Sequence, residues 1–133
     1  MFTYNCRIAR IVDGDTIDVD IDLGFGIWKT NERIRLWQID TPECRTRDKE
    51  EKKYGLIAKN FVEQHLPIGK IFELQTLEKD KFGRYLGAVF VKNRLSINDM
   101  LLKANLAVKY VGQNKKEVRQ EHLNNRKILA QNA

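Results

Sequence analysis

Five aspartates occupy ten positions in the stretch DGDTIDVDID, residues 13–22. Carboxylate oxygens are the ligands that hard cations such as Ca²⁺ and Mg²⁺ prefer. The D-x-D-x-D spacing that begins at Asp18 does not fit an EF-hand calcium loop, because Gly24 comes one position late and Lys29 stands where a bidentate glutamate is needed. Since Ile and Val alternate with these acids, as in a half-buried strand, we expect the last three aspartates to face solvent.

Asp15 has a different expected environment, because it shares the parity of the apolar residues in this strand. If the strand pairs with residues 33–40 so that Ile21 opposes Ile34, Asp15 lies opposite Asp40. Two facing carboxylates repel, so one must take up a proton or a cation must lie between them. This pairing predicts a site for a hard divalent cation. A register that differs by one or two residues would keep the carboxylates apart.

Charged side chains near this pair add groups that activate water or bind phosphate. Glu43 follows a proline that stiffens the turn and has the chemistry to hold or deprotonate a water, although the pattern alone favours an ordinary exposed glutamate. Arg35 and Arg84 carry the planar guanidinium that binds phosphate oxygens in pairs. Strict alternation places Arg35 on the face opposite Asp40, so we expect a bulge near residues 37–38 or a shifted pairing there.

The elements that position these residues follow from the hydrophobic pattern. Five segments read as strands, and a helical stripe lies between the third and the fourth. Ser96 and Asn114 are predicted N-caps of two further helices. This order predicts an α+β, mainly β fold, a five-stranded OB-type barrel with three helices that forms one domain over residues 1–133. The predicted strands are 3–12, 16–23, 33–39, 70–77 and 84–91; the first helix is 54–66, a charged loop covers 45–53, and the glycine-rich connection 23–31 has no predicted shape.

Composition limits the class of protein. The chain has 133 residues, 42% of them apolar and 32% charged, as in globular proteins. It contains no apolar run of the ~20 residues that a membrane helix needs and no export signal, so we expect a cytoplasmic protein without a membrane partner. Cys6 and Cys44 have no zinc-binding spacing with the two histidines, which predicts free thiols.

The charge distribution favours a polyanionic partner. The net charge is +6, and the chain from Lys103 onward has seven basic residues against two acidic ones, Glu117 and Glu121. A basic C-terminal third suits a phosphate backbone. The solvated face of a surface helix explains the same composition equally well.

Four motifs occur in order along the chain: VDGDT at 12–16, RIRLWQIDTPE at 33–43, KYG at 53–55 and DKFGRYLG at 80–87. Together they resemble the staphylococcal nuclease, or thermonuclease, family. The similarity runs from about residue 5 to residue 112 and more loosely through the last helix. It implies an OB barrel with three helices that cleaves DNA and RNA with Ca²⁺ as cofactor, cuts the bond to the 5′ oxygen and leaves 3′-phosphates.

The resemblance also implies roles for single residues. Asp15 and Asp40 correspond to metal ligands, Thr41 to a residue that lends its backbone carbonyl to the metal, and Asp13 to an aspartate near it. The predicted pairing of the two ligand aspartates agrees with this correspondence.

Further roles concern the reacting phosphate. Glu43 corresponds to a proposed general base, and Arg35 and Arg84 to the arginines that bind the phosphate. Phe82 stands where the best-known member has a tyrosine, so a phenol hydrogen bond to substrate is absent. The possible nucleotide contacts are Phe82, Tyr85 and Tyr110.

Two other function classes fit parts of the pattern. Catalytically inactive OB modules of this family usually lose a carboxylate or an arginine, whereas this chain keeps all five positions: Asp15, Arg35, Asp40, Glu43 and Arg84. An unrelated OB barrel would bind nucleic acid by aromatic stacking, and core packing explains each candidate aromatic at least as well. We therefore expect an active nuclease that acts on DNA or RNA as a monomer.

Overall fold

Five long strands form a closed barrel. The computed structural model describes residues 2–132, in which the barrel strands are ordered β3–β2–β1–β5–β6 and a parallel pairing of β3 with β6 closes the sheet. This barrel and its three helices confirm the predicted OB-type fold. The long strands are β1 Phe2–Asp13, β2 Thr16–Asp22, β3 Trp28–Leu36, β5 Ile71–Lys79 and β6 Tyr85–Lys92, and the short ones are β4 Ile39–Asp40, β7 Leu95–Ser96 and β8 Val108–Lys109.

The alternating pattern of β2 determines which of its side chains enter the barrel. Its isoleucines and valine are buried, whereas the intervening aspartates lie on the outer surface. There Asp18 forms an ion pair with Arg33, and Asp20 forms one with Arg7. The prediction that these acids lie outside the core is confirmed, and so is the inward orientation of Asp15, which is buried.

The predicted register between β2 and β3 is wrong by four residues. Ile34 pairs with Ile17 rather than with Ile21, and Arg35 pairs with Thr16. A shift by an even number of residues leaves every side chain on its own face, so the apolar pattern does not distinguish the two registers. Asp15 therefore does not oppose Asp40 across the hairpin.

The β2–β3 connection is much shorter than the glycine-rich segment 23–31 suggested. Leu23 N–H donates to Ile27 O, and the glycines at 24 and 26 have positive φ angles that a tight turn requires. β3 already begins at Trp28, whose ring lies 4.3 Å from the Arg7 guanidinium. Residues 28–31 of the predicted connection are therefore strand.

Three helices pack around the barrel: α1 Lys49–His65, α2 Ile97–Lys103 and α3 Lys115–Gln131. The start of α1 corrects the prediction of a charged loop over 45–53. Asp48 caps the helix, since its side chain accepts hydrogen bonds from the N–H groups of Glu50 and Glu51. Acids in the first turn also interact favourably with the helix dipole. α2 and α3 begin directly after their predicted caps, Ser96 and Asn114.

The core lies inside the barrel and extends beneath two of the helices. Apolar residues of all five long strands pack with Ala58 and Val62 of α1 and with Leu101 of α2. Cys6 and Cys44 are buried free thiols, as predicted. No helix in residues 2–132 combines the length and the apolar character needed to cross a bilayer.

Candidate active site

A turn after β3 returns the chain to the first residues of β2. Leu36 N–H donates to Asp15 O at 2.8 Å, and Gln38 then adopts a left-handed backbone with φ of 59°. The chain leaves the barrel here, and Asp40 pairs with Val108 in the short β4–β8 ladder. The irregularity predicted near residues 37–38 is therefore present, as a turn rather than a bulge. It brings Asp40 close to Asp15 although the predicted register was wrong.

Arg35 joins the two acids. Its Nη2 lies 3.2 Å from Asp40 Oδ1 and 3.5 Å from Asp15 Oδ2. Its Nη1 donates to the carbonyl oxygens of Leu36, at 3.1 Å, and Ile39, at 2.8 Å. A guanidinium has five N–H bonds, four of them on the two terminal nitrogens. The four contacts above engage both terminal nitrogens, and none of them engages the N–H of Nε. In this structure Arg35 holds the acids together more than it offers a fork to a ligand.

The Asp15 carboxylate is removed from water. Its residue is 8% exposed, and its two oxygens accept hydrogen bonds from Thr41 N–H, at 3.1 Å, and Thr16 Oγ1, at 3.0 Å. Burial raises the pKa of Asp15, and the positive charge of Arg35 offsets part of that rise. A further positive charge at this point would stabilise the ionised form.

His122 of α3 contacts the second acid. Its Nε2 lies 2.8 Å from Asp40 Oδ2, and the residue is 7% exposed. Because an ionised carboxylate only accepts hydrogen bonds, Nε2 carries the proton. Asp40 is thus held at Oδ1 by Arg35 and at Oδ2 by His122, which fixes the plane of the carboxylate.

Glu43 is placed by a close approach between its backbone and α1. A Cβ atom added to Gly55 would lie 2.5 Å from Glu43 O, so only glycine allows this packing. The pKa of the Glu43 carboxyl is raised by loss of hydration, and the nearby charges of Asp15, Asp13 and Asp40 raise it further. The structure therefore brings a third carboxylate near the pair.

Asp13, at the end of β1, accepts a hydrogen bond from Cys44 Sγ. Its carboxylate adds negative charge near Glu43 without lining the groove described below.

Arg84 is oriented by an aspartate four residues earlier. Asp80 Oδ1 accepts the backbone N–H groups of Phe82 and Arg84, both at 2.9 Å, which fixes the DKFG turn. Asp80 Oδ2 accepts from Arg84 Nε at 2.7 Å. Within residues 2–132, no acceptor is found for the terminal nitrogens of Arg84. These two nitrogens present the paired donors that fit phosphate oxygens.

An open groove of about 840 Å³ connects these side chains. Arg35, Asp40, Thr41, Glu43 and Arg84 all line it, and Asp15 lies buried behind Arg35 and Thr41. Its other lining includes one face of α3.

The three candidate aromatic residues do not share one location. Phe82 and Tyr110 line the groove and are 71% and 41% exposed. Tyr85 does not line it, and its hydroxyl accepts a hydrogen bond from Lys29 Nζ at 3.1 Å. The structure therefore separates Tyr85 from the site.

The donor atoms near Asp15 fit a hard cation. They are all oxygens: two carboxylates and a threonine whose Oγ1 is buried without a hydrogen-bond partner in the described part of the chain. No cluster of three or more His, Cys, Asp or Glu side chains arranged to hold a metal occurs in residues 2–132. Ca²⁺ and Mg²⁺ take oxygen ligands from carboxylates, backbone carbonyls and waters together, and the residues present are compatible with such a mixed set.

Residues 33–133 match the family described as staphylococcal nuclease homologue. The chain belongs to this family. The thermonuclease of Staphylococcus intermedius is 36% identical over 101 residues, which cover 75% of this chain and 56% of that protein. An uncharacterized endonuclease of Escherichia coli is 31% identical over 104 residues, 78% of this chain and 60% of that protein. The family predicted from the four motifs is confirmed.

A third protein similar to this chain is an uncharacterized protein of Methanocaldococcus jannaschii. It is 32% identical to this chain, and the match covers 91% of this chain and 65% of that protein. The chain thus spans between 56% and 65% of the length of these three relatives.

Sequence reasoning missed two residues of this candidate site. Asp80 is the first residue of the DKFGRYLG motif, and it determines how Arg84 is presented. Its signal was an aspartate at the start of a turn, where Asp commonly accepts backbone N–H groups. His122 contacts Asp40, which lies 82 residues earlier in the chain, and no local sequence pattern indicates such a contact.

Gly55→Ala is expected to destabilise the protein. Alanine in a helix interior usually gains about 1 kcal/mol over glycine. Here the added methyl group meets the backbone at Glu43, and overpacking of this kind costs about 1–3 kcal/mol. Urea unfolding followed by circular dichroism measures the change in the free energy of unfolding. Asn60→Ala, on an exposed position of the same helix, is the control and should not destabilise; a Gly55→Ala protein as stable as the native one would contradict the close approach.

Proposed function

We propose that this chain is a nuclease that hydrolyses phosphodiester bonds of DNA or RNA with Ca²⁺ as cofactor. It cuts the bond to the 5′ oxygen and leaves 3′-phosphates. The observation that carries the proposal is the pair Asp15 and Asp40, bridged by one guanidinium beside Glu43 at the edge of an open groove. Two of the relatives, a thermonuclease and an uncharacterized endonuclease, favour the same reaction class.

In this proposal Asp15 and Asp40 hold the cation through carboxylate oxygens, and Thr41 contributes its backbone carbonyl. Asp13 adds negative charge nearby. When bound, Ca²⁺ supplies positive charge to the oxygens of the phosphate that is cleaved. His122 is a positioning residue, since its Nε2–H fixes the Asp40 oxygen that Arg35 does not contact.

Glu43 takes the proton of the water that attacks phosphorus. Loss of hydration raises the pKa of this carboxyl, which makes the carboxylate a stronger base than an ordinary glutamate, and a positioned base typically contributes about 10²–10⁴ in rate. The bond from phosphorus to the water oxygen forms as the bond to the 5′ oxygen breaks. This leaves a 3′-phosphate and, after the 5′ oxygen takes up a proton from bulk water, a 5′-hydroxyl.

Arg84 stabilises the negative charge that grows on the phosphate oxygens during the attack. Asp80 holds its Nε, so the two terminal nitrogens donate as a preformed pair and need no reordering. Arg35 has most of its donors committed to the protein. It contributes chiefly its charge and the single Nε donor, so we assign Arg84 the larger share of phosphate binding.

Removal of the cation is expected to stop the reaction. Radiolabelled single- and double-stranded DNA and RNA are incubated with the protein in EDTA, Ca²⁺ or Mg²⁺, and the products are analysed for 3′-phosphate ends. We expect no cleavage in EDTA and recovery with Ca²⁺. Recovery with Mg²⁺ alone would contradict the choice of metal, and cleavage that persists in EDTA would contradict the cation site.

Calorimetric titration of Ca²⁺ gives a readout that does not depend on activity. Asp40→Asn should weaken the binding of the ion strongly, because it removes a charged ligand. Asp22→Asn loses the same charge, but Asp22 lies at the end of β2 that is distant from Asp15. This control should bind Ca²⁺ like the native chain. Equal affinities of the two variants would place the ion elsewhere.

A further inference from the structure

One wall of the groove is formed by α3. Five residues of this helix line the groove: Lys115, Val118, Arg119, His122 and Arg126. At about 100° per residue they fall within an arc of about 100° on the helix surface, which is one face.

The charges on α3 are segregated toward that face. Lys115, Arg119 and Arg126 lie within about 40° of one another around the helix axis. The two acids of the helix, Glu117 and Glu121, lie on the far side, about 160–240° from this row. No ion pair joins any of the three basic side chains to an acid in residues 2–132. The groove face of α3 therefore carries a row of three positive side chains without an ion-pair partner in the described residues.

The row has the length of a short stretch of nucleic acid strand. From Lys115 to Arg126 the helix rises about 16 Å. A strand with one phosphate per about 3.4 Å places about five phosphates along that distance. The guanidinium of Arg126 packs over the Tyr54 ring at 5.5 Å, which holds one end of the row in place, and Lys115 and Arg119 are exposed.

We propose that Lys115, Arg119 and Arg126 form a phosphate-binding track that holds the substrate strand beyond the bond that is cut. The inference rests on the proposed nuclease function and extends it, since it assigns a preference for long strands over minimal substrates. Phe82 and Tyr110 line the same groove and offer exposed rings to the bases of a strand held on this track.

The test compares two double variants that lose the same charge from the same helix. Lys115→Gln with Arg119→Gln removes two members of the track. Lys116→Gln with Lys127→Gln removes two exposed lysines that do not line the groove. Arg126 is left in place because it packs on Tyr54. Thermal unfolding by circular dichroism verifies that both variants fold.

Binding is measured first, without cleavage. A fluorescein-labelled single strand of 20 nucleotides is titrated in EDTA by fluorescence anisotropy at 50 and 200 mM salt. Removal of one basic side chain that binds a phosphate should reduce the slope of log Kd against log salt concentration by about 0.7. The track variant loses two such side chains, so between 50 and 200 mM salt the native Kd should rise about sevenfold more than the Kd of the track variant. The control variant should retain the native slope. Equal slopes for the two variants, or a native chain that does not bind the strand, would overturn the track.

Cleavage in Ca²⁺ then separates the two proposals. The track variant should show a raised KM for the 20-nucleotide strand and an unchanged KM for a dinucleotide, whereas the control variant changes neither. A native chain that binds the strand by α3 but never cuts it would defeat the nuclease function and leave the track. Cleavage in which both double variants behave alike would defeat the track and leave the nuclease.

Discussion

Glu43→Gln will fold like the native chain and cleave single-stranded DNA about 10²–10⁴ times more slowly. Glutamine has nearly the same shape, so the packing of residue 43 against Gly55 is preserved. It does not accept a proton at neutral pH, so the attacking water keeps its own. The loss should appear in kcat, measured with saturating Ca²⁺ and labelled strand, while the affinity for Ca²⁺ stays close to native.

Glu63→Gln supplies the matched control, since it removes one carboxylate from an exposed position of α1. It should retain native turnover. If Glu43→Gln turns over as fast as this control, Glu43 is not the base and the water must be activated by another group.

The second large effect is expected for Arg84→Ala. Loss of a preorganised donor to the developing charge typically costs about 10²–10³ in rate. The side chain lines the groove, and its interactions found in residues 2–132 are a hydrogen bond to Asp80 and a contact with the Phe82 ring, so the fold should survive its removal. The kcat/KM for a labelled strand, with circular dichroism as a check on folding, measures the effect.

Arg84→Lys distinguishes geometry from charge. Lysine restores the positive charge but has no planar pair of donors. It also lacks the Nε–H group that donates to Asp80 in the native protein. We expect it to remain well below native activity. Arg10→Ala removes one exposed guanidinium from β1 and should change little. Full activity of Arg84→Lys would mean that Arg84 acts as a point charge alone.

Local features of the site were predictable from the sequence, because they depend on alternation along one strand. The parity of Asp15 with its apolar neighbours correctly indicated burial. The partner of that strand was harder to align, since Ile17 and Ile21 fit opposite Ile34 equally well by pattern. The acids come together through the turn at Gln38, whose positive φ no hydrophobic pattern indicates.

The start of α1 was missed for a related reason. Hydrophobic periodicity begins only at Tyr54, because the first turn of the helix is fully charged. Capping chemistry was the better guide there, with Asp48 followed by two glutamates. The same rule correctly placed the starts of α2 and α3. Contacts between distant segments, such as the one from His122 to Asp40, follow from the complete packing and not from any local pattern.

Because Arg35 bridges Asp15 and Asp40, we expect the fold not to depend on the proposed cation. Many small metal-binding domains unfold when their ion is withdrawn, because nothing else neutralises the clustered ligands. Here a resident guanidinium already serves as counter-ion to both acids and ties them to the carbonyls of Leu36 and Ile39. A chelator should therefore abolish the proposed nuclease activity without unfolding the protein. When calcium is added back, the activity should recover at the rate of ion binding rather than at the rate of refolding.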